Sequence, residues 1–167
     1  DMGTLAVTGT ITLATNDAAN NNTGHATVVN ATQVILAASS IDGNFSATAT
    51  TGNITDSGAL TITGTSSFTT SANNATITLN DADNAFTGAL TITTNDNDNP
   101  VDGTYAADVT IDGGTTALII AASTIDGNLT LKSGHASGIT DSGVVTVGGD
   151  FSATTDANNG DIDMETL

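Results

Sequence analysis

Carboxylates and amides are the chemically capable side chains this sequence has in number, and they come in runs. Asn95-Asp96-Asn97-Asp98-Asn99-Pro100, with Asp102 just beyond, alternates acid and amide. Ca2+ takes about six to eight oxygen ligands from carboxylates, amides and carbonyls, and such a run offers them at close spacing. Asp96, Asp98 and Asp102 are therefore the candidate metal ligands. Asn80-Asp81-Ala82-Asp83-Asn84 is a second, weaker cluster. The competing reading is a turn in which Asp and Asn side chains accept hydrogen bonds from nearby backbone groups.

Other chemistry finds little support. Glycoside hydrolysis needs two carboxylates about 5–10 Å apart. Asp161 and Asp163 on one strand face offer such a pair, but the chain has no Trp, and Tyr105 is its one tyrosine. A lyase site for acidic sugars needs basic residues, and Lys132 is the one cation. An isopeptide crosslink at Lys132 would need a buried amide or acid partner, and no such pattern is visible. His25 and His135 have no HxH or HxxxH partner, and cysteine is absent, which removes thiolate metal sites and cysteine nucleophiles. The expectation is a non-enzyme that requires no cofactor, with Ca2+ as the candidate ion.

The formal net charge is -17, from 17 Asp and Glu165 against Lys132. That excludes phosphate-backbone binding, hence nucleic acid, and adhesion to anionic membranes. It repels other copies at low salt and attracts divalent cations. No run of 18 apolar residues offers a membrane span. Residue 1 is Asp with no basic segment and apolar run after it, so a leader has been removed or the chain is an excerpt.

The elements that would carry these side chains are strands. Thr10-Ile11-Thr12-Leu13, Leu60-Thr61-Ile62-Thr63, Thr76-Ile77-Thr78-Leu79 and Leu90-Thr91-Ile92-Thr93 alternate apolar residues with Thr. That is the period of a half-buried strand, with Ile11, Ile62, Phe68, Ile77 and Ile92 inward. Between strands lie clusters of Asn, Asp and Gly that suit turns. The strands also repeat. Thr8–Asp17 (TGTITLATND) returns as Thr87–Asp96 (TGALTITTND) at an offset of 79. Val34–Asn44 returns as Leu118–Asn128 at 84, and ITDSG at Ile54 returns at Ile139 at 85. DMGTL at Asp1 returns as DMETL at Asp163. The reading is one continuous solenoid with units at 1–79 and 80–162 and the start of a third at 163–167.

Repetition of this kind predicts an all-β parallel β-helix of roughly 8–11 coils, each of about 15–21 residues. At about 4.8 Å per coil the rod is roughly 40–50 Å long. The drifting offsets suit loops that vary outside a fixed core. Phe68 aligns with Phe151 at an offset of 83, and Phe45 with Leu129. The alternative is two tandem Ig-like sandwiches. Thr-x-Thr at Thr61, Thr76 and Thr91 recurs every 15 residues, a short array of the kind that ice-binding solenoids present.

The stretch Ile54–Thr94 resembles the repeats of filamentous-haemagglutinin-like bacterial surface proteins. The resemblance implies a right-handed parallel β-helix and an exported, extracellular or cell-surface protein. The secretion domain of those proteins, with its Asn-Pro-Asn-type motifs, is absent from this sequence. The Asn95–Asp102 run resembles the calcium-binding linker of cadherins, which implies a Ca2+ role for Asp96, Asp98 and Asp102. Together the expectation is a stiff, acidic, non-catalytic filament or adhesin-stalk segment. Its partner is itself, by head-to-tail stacking or by continuation of a longer repeat chain. A calcium-dependent or carbohydrate-binding surface module is the alternative.

Overall fold

The computed structural model describes residues 4–19, 23–97 and 106–167. Its strands are short. In chain order they are β1 (Thr4–Leu5), β2 (Thr10–Ile11), β3 (Ala26–Asn30), β4 (Val34–Leu36), β5 (Ser39–Ile41), β6 (Phe45–Ala49) and β7 (Ile54–Asp56). Next come β8 (Leu60–Ile62), β9 (Ser66–Thr70), β10 (Ile77–Leu79), β11 (Ala85–Phe86), β12 (Leu90–Thr93) and β13 (Val109–Asp112). The last are β14 (Leu118–Ile120), β15 (Ser123–Ile125), β16 (Leu129–Ser133), β17 (Ile139–Asp141), β18 (Val145–Val147), β19 (Phe151–Thr155) and β20 (Ile162–Asp163). The described residues contain no helix.

Each strand pairs with a strand one coil away, and every pairing between these strands is parallel. The chain is a β-solenoid of about 7 turns. Tandem sandwiches built from hairpins would be antiparallel, so that alternative is overturned. The first sheet runs β1-β3-β6-β9-β12-β14-β17-β20, with β15 and β18 beside it. The second runs β2-β4-β7-β10-β13-β16-β19, and the third joins β5, β8 and β11.

The expected 8–11 coils are too many. Successive strands of the first sheet start 19, 21 and 24 residues apart from β3 to β12. A coil spans up to three strands with their corners, so the 15-residue spacing of the Thr motifs is shorter than one coil. Seven turns at about 4.8 Å give a height of about 34 Å rather than 40–50 Å.

Alternation decides which side chains fill the interior. β3, β6 and β9 bury every second residue, and Ile11, Ile62, Phe68, Ile77 and Ile92 all point inward as expected. Interior volumes complement one another along the stack. Phe45 sits over Ser66 while Ala47 sits over Phe68, so each large side chain meets a small one. The rings of Phe45, Phe68 and Phe86 meet edge to face, with centroids 5.8 and 6.1 Å apart. Such pairs add about 0.5–1.5 kcal/mol to their burial. Where coils turn from one sheet to the next, backbone stacks on backbone. A Cβ on Gly64 would lie 2.6 Å from the Gly43 carbonyl carbon, so the corner admits only glycine.

The two units are not related by simple translation along the axis. β6 lies in the first sheet, yet its sequence counterpart β16 lies in the second. β4 lies in the second sheet, and its counterpart β14 in the first. The exchange happens where β12 stacks on β9 and β13 stacks on β10. The coil from β12 to β14 is the long one, with starts 28 residues apart. Its extra length explains the drift of the offsets. Five residues separate Asp17 from Thr23 in the first unit, and nine separate their counterparts Asp96 and Ala106, so the segment there is four residues longer in sequence. The pairing of Phe68 with Phe151 is also corrected. β19 is the counterpart of β9 at an offset of 85, which puts Phe151 at the place of Ser66 and Ala153 at that of Phe68.

Candidate functional site

Of the three candidate calcium ligands, Asp98 and Asp102 lie outside the described residues. Asp96 is described and buried. Its backbone N–H donates to Asp126 Oδ2 at 3.0 Å, and its own Oδ2 accepts the Ala106 N–H at 3.1 Å. The first unit repeats this arrangement. The Asp17 N–H donates to Asp42 Oδ2 at 2.9 Å, and the Asp17 carboxylate accepts the N–H groups of Ala19 and Thr23 at 3.2 and 2.9 Å. Each carboxylate holds a backbone N–H that lies a few residues before the next strand, Thr23 before β3 and Ala106 before β13. The described residues contain no cluster of three or more His, Cys, Asp or Glu placed to hold a metal.

The Asn80–Asn84 cluster is tied in the same way. Asp56 accepts the N–H groups of Asn80 and Asp81, both at 3.1 Å, and the Asn84 amide at 2.7 Å. The Asn84 side-chain oxygen in turn accepts the Leu60 N–H at 2.8 Å. In the second unit Asp141 accepts the Thr166 N–H at 2.7 Å and is also bonded by the Thr166 hydroxyl. That hydroxyl bond, reinforced by the Thr166 backbone N–H and opposed by desolvation, holds the Asp141 carboxyl below its usual 3.8. Its contribution is present above the ordinary carboxylate range and is lost as pH falls through the depressed pKa.

Sequence reasoning missed most of these ties. Ser39 Oγ accepts the Leu13 N–H and donates to the Ala37 carbonyl. Ser123 does the same for Ile92 and Ala121. Thr15 accepts the Asp42 N–H, and Thr94 accepts the Asp126 N–H. Asn44 accepts the Thr65 N–H, and Asn128 accepts the Asp150 N–H. Each pair is one polar residue copied with the apolar core around it. Copying of a polar residue at the offset of the core residues around it was the available signal. These side chains satisfy backbone groups that bends in the solenoid leave without ladder partners, which is the alternative reading given for the Asp/Asn runs.

One consequence separates the two readings of Asp96. Asp96→Ala and Asp17→Ala should each lower unfolding stability by about 1–3 kcal/mol, because a backbone N–H loses its acceptor. The loss should be equal in EDTA and in excess Ca2+, measured by urea denaturation. A loss for Asp96→Ala that appears only with Ca2+ present would favour the metal reading.

The remaining chemical groups are placed as follows. Lys132 Nζ lies 3.0 Å from Asp156 Oδ2 and 3.2 Å from Asp112 Oδ2, bridging the coils on either side. The hydrogen bond to Asp156, then that to Asp112, raises the ammonium pKa above 10.5. This tie is intact below 10.5 and is lost as pH rises through the raised value. His25 and His135 each accept a backbone N–H at Nδ1, from Asn44 and Ser137. Asp161 and Asp163 are exposed at the last strand. Among the described residues, one surface groove is lined by Thr8, Thr32, Gln33, Thr51 and Gly52, and another by Phe86, Thr87, Thr115, Thr116, Ala117 and His135.

The Thr-x-Thr motifs do not form one array. Thr61 lies in the third sheet, Thr78 in the second and Thr93 in the first. The columns that do form draw on other residues. Along the first sheet Thr4, Val29, Thr48, Thr69, Thr93, Thr124 and Thr146 stand in register. Along the second, Thr10, Ile35, Thr55, Thr78, Thr110, Thr130 and Ser152 do so.

Residues 23–93 and 106–166 each match a family described as repeats of unknown function (DUF5649). No curated protein and no solved structure matches the chain.

Proposed function

Because the chain belongs to the family of repeats of unknown function DUF5649, and folds as one β-solenoid, we propose that it is a structural segment. It serves as a stiff, acidic, non-catalytic length of an extracellular filament or adhesin stalk. The observation that supports this reading is where the chain places its specialised side chains. The copied Asp, Asn, Ser and Thr residues tie one coil to the next instead of converging on a cleft. A repeat scaffold stabilised by nearest-neighbour contacts gains length with each copy. The likeness to filamentous-haemagglutinin-like surface repeats agrees with such a role. In this proposal divalent cations are drawn to the acidic coat and are not a required cofactor.

The test is made on intact source cells. Antibody against the folded segment should label the unpermeabilised surface. In-frame deletion of one segment should shorten the surface fibre by about 34 Å, as seen by cryo-electron tomography. Labelling that needs permeabilisation, or a fibre of unchanged length, would overturn the reading.

A further inference from the structure

We infer that the face of β19 and β20 turned away from β16 and β17 receives the opening strands of a second copy of this chain. The copy joins in phase with its Asp1 at the place of Asp163, and the two form one unbroken solenoid. This goes beyond the stalk reading, since it would hold equally for an adhesive or ligand-binding solenoid.

The junction inside the chain supplies the template. β12 roofs β9, placing Leu90 on Ser66 and Ile92 on Phe68. β13 roofs β10, placing Val109 on Ile77 and Ile111 on Leu79. All four residues beneath are buried. β19 and β20 are the counterparts of β9 and β10, each at an offset of 85. Among the described residues they pair on one side only, with β16 and β17. Phe151, Ala153 and Met164 are accordingly half-buried, and Ile162 is 46% exposed where its counterpart Ile77 is 0%.

The fitting occupant is on the same chain. Thr8–Asp17 is the counterpart of Thr87–Asp96, the segment that contains β12. Among the described residues β2 pairs with β4 alone. Transferring the internal register sets Ile11 of the second copy over Phe151, and its Leu13 over Ala153. It also sets Ala26 and Val28 of that copy over Ile162 and Met164. Large and small exchange places relative to Ser66 and Phe68, so the interior volume of the layer is kept. The sheets agree as well. The unit start lies in the second sheet at β2 and in the first at β12, and docking on β19 returns it to the second. The phase is fixed by DMGTL and DMETL, which are the same segment 162 residues apart. An open strand edge is a template for pairing, and a head-to-tail contact of this kind extends without closing.

The test compares the single chain with a tandem in which Asp1–Ile162 runs directly into Asp1–Leu167. Hydrogen exchange is followed by mass spectrometry. In the first copy of the tandem, the amides of Phe151–Thr155 and Ile162 should exchange about a hundredfold more slowly than in the single chain. Equal rates in the two proteins would overturn the inference. A tandem with Ile11→Asp in its second copy alone should lose the gain, and a gain that survived this change would also overturn it.

Discussion

Phe68→Ala is expected to cost about 3–5 kcal/mol of unfolding stability. Phe68 is fully buried and is the middle ring of the Phe45–Phe68–Phe86 stack. Truncation removes both edge contacts and leaves a void between Ala47 and Ile92, the small and medium side chains that flank it on the ladder. The neighbours are held in strand register, so the void cannot collapse by a shift of one coil. In a solenoid, stability is a sum over neighbouring coils, and a weakened interface can part before the rest. Urea denaturation should therefore show the midpoint moving down and the single transition broadening or dividing. A loss below about 1 kcal/mol would mean that the ring stack is not the packing centre. Phe151→Ala, at a half-buried position in the last described strand of its sheet, should cost less than Phe68→Ala.

Asn30→Leu should destabilise by about 2–5 kcal/mol although it puts an apolar side chain of similar size into the interior. Asn30 is 0% exposed at the inward end of β3. Its side-chain oxygen accepts the Val7 N–H at 2.9 Å, and its amide donates to the carbonyls of Val7 at 2.7 Å and Gln33 at 2.5 Å. Leucine fills the volume but takes away the partner of the Val7 N–H and of the Gln33 carbonyl, while the Val7 carbonyl keeps only the Thr32 hydroxyl. That desolvation cost exceeds the gain in apolar burial. The damage should be local. Hydrogen exchange should show β1 and β2 losing protection while β6 to β16 keep theirs. A stability equal to or above that of the parent would show that water reaches these groups.

Polar residues recur at the inward ends of other long strands. Of the five-residue strands, β3, β9, β16 and β19 hold Asn30, Thr70, Ser133 and Thr155 at the last inward place, and β6 holds Ala49. Asn30, Thr70 and Thr155 donate to a carbonyl at the following corner, and Ser133 donates to the Thr116 carbonyl on the neighbouring coil. In the sequence these residues look like ordinary members of a chain rich in Asn, Ser and Thr. They cannot be distinguished from outward hydroxyls until the strand register is known. The same holds for Asp96. Its run of acids and amides suits a calcium loop by composition alone, whereas its carboxylate accepts the Ala106 N–H and its own N–H donates to the Asp126 carboxylate on the next coil.

What the sequence determined by itself is local. Alternation of apolar residues with Thr set the strand character and the inward face, because a side-chain period of two leaves only one face to bury. The copied segments established a solenoid, since each unit has apolar residues it can bury only against a neighbour. The tertiary structure decided everything that depends on summed loop lengths. It made about 7 turns where motif spacing suggested 8–11. It moved Phe151 over Leu129 and into the place of Ser66. It exchanged the first and second sheets at β12, after which the sequence carries four added residues. Strand patterning repeats every two residues, so it is blind to how far around the axis each loop carries the chain. Only the closed coil, with its interior volume filled and its corner groups bonded, fixes that angle.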